Sequence, residues 1–281
     1  MVLPLVRVVS GKTNYALVRL DAMGNLDAAF RPPPFTSASL PTQLAVDSKD
    51  RIYCNAATLV RLKPDGSADT TFQLKDVIQG SVSRLSVQKD DKVLVAGRIT
   101  RVGGTPVGGF ARFLPDGRLD TTFTGSPGAE EGAQFNFIEE QADGKIWIAG
   151  HFASIHGQPR KLFARLLPDG KLDASFVPQW QPADESPSTK SPAITVQTTR
   201  AGGVLVGGQF LLGTGQDGLA HFQPNGQMDI PTGRNGGGAW GGTTTPDGDL
   251  VLVGQLKTVF GTKTENIVRL KPASVAPTAA K

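Results

Sequence analysis

One unit recurs along this chain, and it limits what the chain can fold into more than any other feature. Its clearest copy is RLLPDGKLDASF at 165–176. Others are LDAMGNLDAAF (20–30), RLKPDGSADTTF (61–72), RFLPDGRLDTTF (112–123) and a decayed HFQPNGQMDIP (221–231), with an RLKP stub at 269–272. The turn glycines Gly24, Gly66, Gly117, Gly170 and Gly226 are spaced 42–56 residues apart. A period of that size means a propeller, a solenoid or an array. Each copy reads as a β-hairpin, because Pro presets φ for a turn while Asp and Gly tolerate its left-handed position. The Asp three residues past each glycine (Asp27, Asp69, Asp120, Asp173, Asp229) can accept backbone N–H groups of the turn or of the next repeat. The Phe after it (Phe30, Phe72, Phe123, Phe176) is an apolar plug. One carboxylate per repeat is spread around the molecule, which favours a structural role over a metal or catalytic site.

A second motif alternates with the first: DSKDRIYCN (47–55), QKDDKVLVAG (88–97), QADGKIWIAG (141–150), TRAGGVLVGG (199–208) and TPDGDLVLVG (245–254). Each is a tight turn feeding a short, largely apolar run that usually ends in small residues, the pattern of a strand buried on both faces. A shorter strand precedes each turn: 43–46, 84–87, 136–139, 194–197 and 240–244. Each repeat thus holds strands A, B (the apolar run), C (Arg-Leu) and D (Leu-Asp-x-x-Phe). The fold class is all-β, and four short antiparallel strands per unit make a β-propeller blade.

These alternating motifs resemble the delta-60 repeat, a bacterial β-propeller repeat. The resemblance covers about residues 5–272 and is densest at 58–176. It implies a secreted or surface-associated bacterial protein, and it brings no catalytic or ligand residues. Six B strands, six C strands, five A strands and five D strands give a six-bladed propeller with incomplete first and last blades, five blades being the alternative. Residues 1–272 form one domain, and the Ala/Pro-rich 273–281 is a tail. A chain that enters at B and leaves after C has an incomplete seam, where self-association is expected.

Composition narrows the function. The 34 Gly and 20 Pro suit many turns, and the one cysteine, Cys54, lies on an apolar strand as a buried inert thiol. The net charge of +4 is mild and its basic residues are scattered, so no nucleic-acid partner is expected. No segment reads as a membrane span or a signal peptide. The chain is then either an excised or mature piece of an extracellular or cell-surface protein, or cytoplasmic. No Walker loop, nucleophile elbow or His-Glu-x-x-His helix is present, and His151, His156 and His221 complete no metal set, so no cofactor and no metal are expected. Glu130-Glu131 and Asp184-Glu185 are loop carboxylates that a glycosidase could pair, but solvated loops explain them as well.

Strand direction puts the long B–C and D–A links on one face, where binding usually resides. Polar residues follow four B strands (Arg98, His151, Gln209, Gln255), and Trp180 and Trp240 lie in Pro/Ser- and Gly-rich links. These six are the candidate ligand contacts, since aromatic rings offer platforms to sugar faces and polar groups bond hydroxyls or acids. The B–C links lean basic, with Lys12, Arg98, Arg101, Arg160, Lys161, Lys257 and Lys263 against Asp217 and Glu265. The expected function is a non-enzymatic binding module for a glycan or protein partner. A propeller hydrolase or lyase with a site in the central channel, and a structural spacer, are the alternatives.

Overall fold

In the computed structural model the described residues are 2–9, 12–35, 41–56, 58–123, 132–179, 193–199, 202–208, 211–212, 215–216, 219–231, 239–245, 247, 249–259 and 262–271. They contain strands and turns and no helix. The chain forms two compact units, Met1–Phe123 and Thr124–Lys281.

In the first unit, β1 (Val2–Val9) and β2 (Lys12–Arg19) form a hairpin. Next come β3 (Leu44–Val46), β4 (Ile52–Asn55) and β5 (Leu59–Leu62), a three-stranded antiparallel sheet. Strands β6 (Ile78–Val87), β7 (Val93–Val102), β8 (Thr105–Pro106) and β9 (Phe110–Phe113) form the next sheet, with β7 pairing all three others.

The second unit repeats the plan. Strands β10 (Gln134–Glu140), β11 (Ile146–His151) and β14 (Phe163–Leu166) form one sheet, with β12 (Ser154–Ile155) and β13 (Gln158–Pro159) as a side hairpin. Strands β15 (Ala193–Thr198), β16 (Val204–Gly208), β19 (Leu219–Phe222) and β20 (Met228–Pro231) make a four-stranded sheet beside hairpin β17 (Leu211–Leu212)/β18 (Gly215–Gln216). Strands β21 (Ala239–Thr244), β22 (Leu250–Gly254) and β25 (Ile267–Leu270) form the last sheet, with hairpin β23 (Thr258–Val259)/β24 (Thr262–Lys263). The fold is an all-β one of propeller blades, and the expected A, B and C strands lie where the repeats place them.

Strand D is shorter than the sequence suggests. In four repeats it is a single bridge: Leu20–Leu26, Leu62–Ala68, Phe113–Leu119 and Leu166–Leu172. The cause is the residue after the bridge. The N–H of Asp173 donates to the Arg165 carbonyl at 2.9 Å, then the Phe176 N–H returns to the Asp173 carbonyl at 3.3 Å, curling the chain off the sheet. Where Asp-x-x-Phe has decayed, at 229–232, the strand runs on as β20.

The small residues ending each B strand also have a cause. Strand A carries a bulge at the same place in four blades, between Val82 and Arg84, Phe135 and Phe137, Ala193 and Thr195, and Ala239 and Gly241. The bulged strand crowds its partner: a Cβ on Gly97 or Gly150 would lie 2.0 Å from the Ser81 or Gln134 carbonyl oxygen.

Blades pack face to face. Trp147, Ala149 and Phe163 of one sheet share a core with Val204, Val206, Ala220 and Phe222 of the next. Leu17 and Phe30 likewise meet Ile52, Cys54 and Leu62. The Phe plugs are all buried, as is Cys54, whose thiol burial pushes up to about 12.

Candidate functional site

One Asp and one Arg recur in each well-formed repeat, residue types that elsewhere carry chemistry. They are an interlocking structural device. The Asp Oδ2 accepts the Nε–H of the C-strand arginine at 2.8 Å (Arg19–Asp27), 2.7 Å (Arg61–Asp69), 2.9 Å (Arg112–Asp120) and 2.8 Å (Arg165–Asp173). Each guanidinium lies over the Phe plug of its repeat, 4.5–5.1 Å from the ring centre. The other carboxylate oxygen accepts the N–H two residues on, and in three repeats the Thr71, Thr122 or Ser175 hydroxyl at 2.6 Å. Burial raises the Asp69 carboxyl, but the Thr71 hydroxyl and N–H and the Arg61 guanidinium outweigh it and hold it at about 2. The same balance, with Lys145 added, holds Asp173 well below the usual carboxylate range. Carboxylates so committed are poor general bases. The sequence reading found the Asp and the Phe of this device and missed their shared arginine, whose signal was the invariant eight-residue Arg-to-Asp spacing.

The Pro-Asp-Gly turns are the couplings between repeats. The residue after Phe30 and after Phe72 donates to the next turn: Arg31 N–H to the Asp65 carbonyl at 2.7 Å and Gln73 N–H to the Asp116 carbonyl at 3.2 Å. Arg61 Nη1 reaches the Pro115 carbonyl at 2.6 Å, and Arg19 Nη1 bonds that of Pro64. Only glycine fits the turn: Gly117 has φ of +92°, and a Cβ there would lie 2.3 Å from the Gln73 carbonyl oxygen.

The B–C links are more regular than their sequences suggest, and they carry the basic residues. Three of these links fold into a small hairpin anchored by an apolar pair three residues apart: Ile99 and Val102, Phe152 and Ile155, Leu256 and Val259, all buried. That spacing was the signal in the sequence. Past the anchors the chain returns through a left-handed residue at Gly109, Leu162 and Asn266. The anchored hairpins hold basic side chains outward. Arg98 and Arg101 are exposed on β7, with the Arg101 guanidinium bonded to the Gly104 carbonyl. In the second unit Lys161, Lys257 and Lys263 are exposed and His151, at the end of β11, is half-buried. Arg160 donates through Nη1 to the Pro159 carbonyl at 2.7 Å, while its buried Nε has no hydrogen-bond partner among the described residues. Glu265 is the one carboxylate in the described part of these links.

Of the remaining candidates, Gln255 is exposed just past β22, and among the described residues no hydrogen bond or ion pair joins it to His151. Trp240 is the bulge residue of β21, between Ala239 and Gly241. Gln209, Trp180, Glu130-Glu131 and Asp184-Glu185 lie outside the described residues. Trp147 is core, stacked edge-on against Phe176 at 4.8 Å. Among the described residues no group of three or more His, Cys, Asp or Glu could hold a metal ion, and no helix is long and apolar enough to cross a membrane.

The first unit also holds a cavity of about 1030 Å³ under the link 73–77. Leu59, Val60, Leu74, Ile78 and Val82 give it an aliphatic wall, and Asn55, Thr58, Gln73, Asp76 and Ser81 a polar one. Asn55 is committed, accepting from the Gln43 N–H at 2.8 Å and donating to the Val82 carbonyl at 3.2 Å. Its other carboxylate, Asp69, is the one locked by Arg61, so the cavity offers binding surface rather than an acid/base pair.

A family model described as a domain of unknown function (DUF5122) beta-propeller matches residues 6–30, 55–72, 88–123 and 141–176. These are the repeats read above, and the match supports a β-propeller family. No curated protein matches the sequence. Among solved structures, the chain is similar to the extracellular domain of a one-component system from B. thetaiotaomicron, at 12% identity and a TM-score of 0.53, covering 90% of this chain and 32% of that one. It is similar to PorZ, a surface component of the type-IX secretion system of Porphyromonas gingivalis, at 10% identity and a TM-score of 0.50, covering 83% of this chain and 35% of that one. The WD40 β-propeller domain of Doa1 gives 13% identity and a TM-score of 0.50, over 82% and 62% of the two chains. The chain spans about a third of the length of the two bacterial structures. At these identities the likeness shows the fold.

Proposed function

We propose that this chain is a binding module of a bacterial surface, secreted or appendage protein, and that it recognises an anionic glycan or similarly charged macromolecule through its B–C hairpins. The observation that carries the reading is the charge on those hairpins. In the second unit Arg160, Lys161, Lys257 and Lys263 are set against one carboxylate, Glu265, among the described residues of its B–C links, and in the first unit Arg98 and Arg101 are set against none. The hairpins are seated by buried anchor pairs, so little backbone has to be ordered on binding. His151, Gln209, Gln255, Trp180 and Trp240 remain the candidate contacts that would add hydrogen bonds and stacking. The extracellular and surface settings of two structures with this fold are in keeping with such a role.

The test is an array of sulfated, carboxylated and neutral glycans, followed by calorimetry on the best binder. Binding should favour the charged glycans and weaken as salt rises toward a Debye length of about 8 Å. Replacing Arg160 and Lys161 together by Ala should weaken it further. Preference for neutral glycans, or affinity indifferent to both salt and this variant, would refute the reading.

A further inference from the structure

The cavity of about 1030 Å³ is lined wholly by residues of the first unit, and its chemistry differs from that of the basic hairpins. On one side are β5 and the segment 68–72 that curls away from it. On the other are the link 73–77 and the start of β6. Thr58 and Ser81 line the cavity and are exposed, so it is open to solvent. Leu59 is buried, whereas Val60, Leu74, Ile78 and Val82 keep part of their aliphatic surface uncovered. An open cavity of this size with an aliphatic wall suits a ligand with an apolar body.

The polar residues decide its charge. Arg61 and Asp69 neutralise each other at 2.7 Å. Gln73 donates to the Thr70 carbonyl at 3.2 Å and accepts from Lys75 Nζ at 3.3 Å, and Lys75 itself is exposed. Asp76 is half-buried, and among the described residues its carboxylate has no hydrogen bond and no ion pair. The fold makes room for that carboxylate. Gly103, with φ of +55°, sits in the β7–β8 turn and donates its N–H to the Val77 carbonyl at 2.9 Å, and a Cβ there would lie 2.6 Å from Asp76 Oδ1. A carboxylate partly withdrawn from water beside aliphatic groups, with no cation bonded to it, is half of an ion pair.

We propose that this cavity takes an alkylammonium group, the chemistry shared by a free aliphatic amine and a lysine side chain. The ammonium pairs with Asp76, and the stem lies on Val60, Leu74, Ile78 and Val82. The Thr58 and Ser81 hydroxyls, which make no hydrogen bond among the described residues, are left to bond the rest of the ligand. The site is opposite in charge to the one read from the B–C hairpins, so either reading can fail without the other.

Calorimetry of the full chain with hexylamine, hexanol and hexanoate tests the proposal. Hexylamine should bind at least about tenfold more tightly than the other two, and about fourfold more tightly for each CH₂ gained from butylamine upward. Asp76→Asn should weaken hexylamine binding about tenfold, and Lys75→Gln should not weaken it. Ser81→Trp, at an exposed strand position, should fill the cavity and abolish binding while the circular dichroism spectrum stays unchanged. N-acetyl-lysine methylamide separates the two sources: tighter binding than hexylamine assigns the site to a lysine of a polypeptide, weaker binding to a free amine, and both support the proposal. A folded wild type that does not bind hexylamine overturns it. So does hexanol or hexanoate binding as tightly, or an affinity unchanged in Asp76→Asn or Ser81→Trp.

Discussion

Replacing Asp173 by Asn probes the device that recurs in every well-formed repeat. The change keeps the shape and the bonds from Ser175, whose N–H and hydroxyl donate to Oδ1 at 2.9 and 2.6 Å. It turns an NH₂ toward the Arg165 Nε, 2.8 Å from the oxygen it replaces, and leaves a guanidinium that is 10% exposed without its anion. Removing one partner of a buried pair costs about 3–5 kcal/mol, a large part of the ~5–15 kcal/mol that holds a domain folded. Arg165→Met should cost less, about 1–3 kcal/mol, because Asp173 keeps Ser175 and Lys145, whose Nζ lies at 3.1 Å. The double variant should therefore be more stable than the sum of the two losses predicts. Trp147, 5.5 Å from the Arg165 guanidinium, reports the unfolding when Trp180 and Trp240 are both Phe. Denaturant curves in which Asp173→Asn costs under about 1 kcal/mol, or less than Arg165→Met, would refute the reasoning.

Other outcomes follow from the same geometry. Phe123→Ala and Phe176→Ala should each cost about 3–5 kcal/mol by chemical denaturation, and a much smaller loss would mean the plugs do not carry the blade. Asp69 folds with its carboxyl at about 2, below the ordinary value of 3.8, so its stabilisation is complete above pH 3.8 and is lost as pH falls toward 2. Acid titration of stability should steepen in that window and flatten in Asp69→Asn. Gly117→Ala should cost well over the ~1 kcal/mol of a left-handed alanine, because it also strikes Gln73, whereas Gly157→Ala, with φ of +72° and open space, should cost about that amount alone; equal thermal shifts would contradict this. Cys54 should resist thiol reagents in the folded protein and react on unfolding, since burial pushes it up to about 12.

The repeat made the blades legible because period and turn chemistry are local. Pro-Asp-Gly says where a hairpin turns, and the apolar run says which strand is buried twice. Two features were not legible. The truncation of strand D is decided by where the backbone of Asp173 and Phe176 bonds, and the alternation Leu-Asp-x-x-Phe reads equally as a strand. The B–C hairpins looked irregular because their tips vary (Gly103-Gly104, His156-Gly157), while the anchors that define them, such as Phe152 and Ile155, are apolar residues among polar ones. Of the candidate site, sequence position alone placed His151 and Gln255 at strand ends, whereas Arg98 lies inside β7, which runs on to Val102. Which side chains converge depends on packing that a one-dimensional reading does not carry.

The turn-to-segment coupling has a mechanical consequence. Within each unit a repeat grips the one before it through its turn, as in Gln73 N–H to the Asp116 carbonyl, and through the apolar core that neighbouring sheets share. Load applied along the chain therefore meets a series of nearest-neighbour joints, instead of one core common to all repeats. Stretched by its ends in a force spectrometer, such a protein should yield in steps of about one repeat, and a surface-anchored module built this way would lengthen under flow while its remaining blades stay folded.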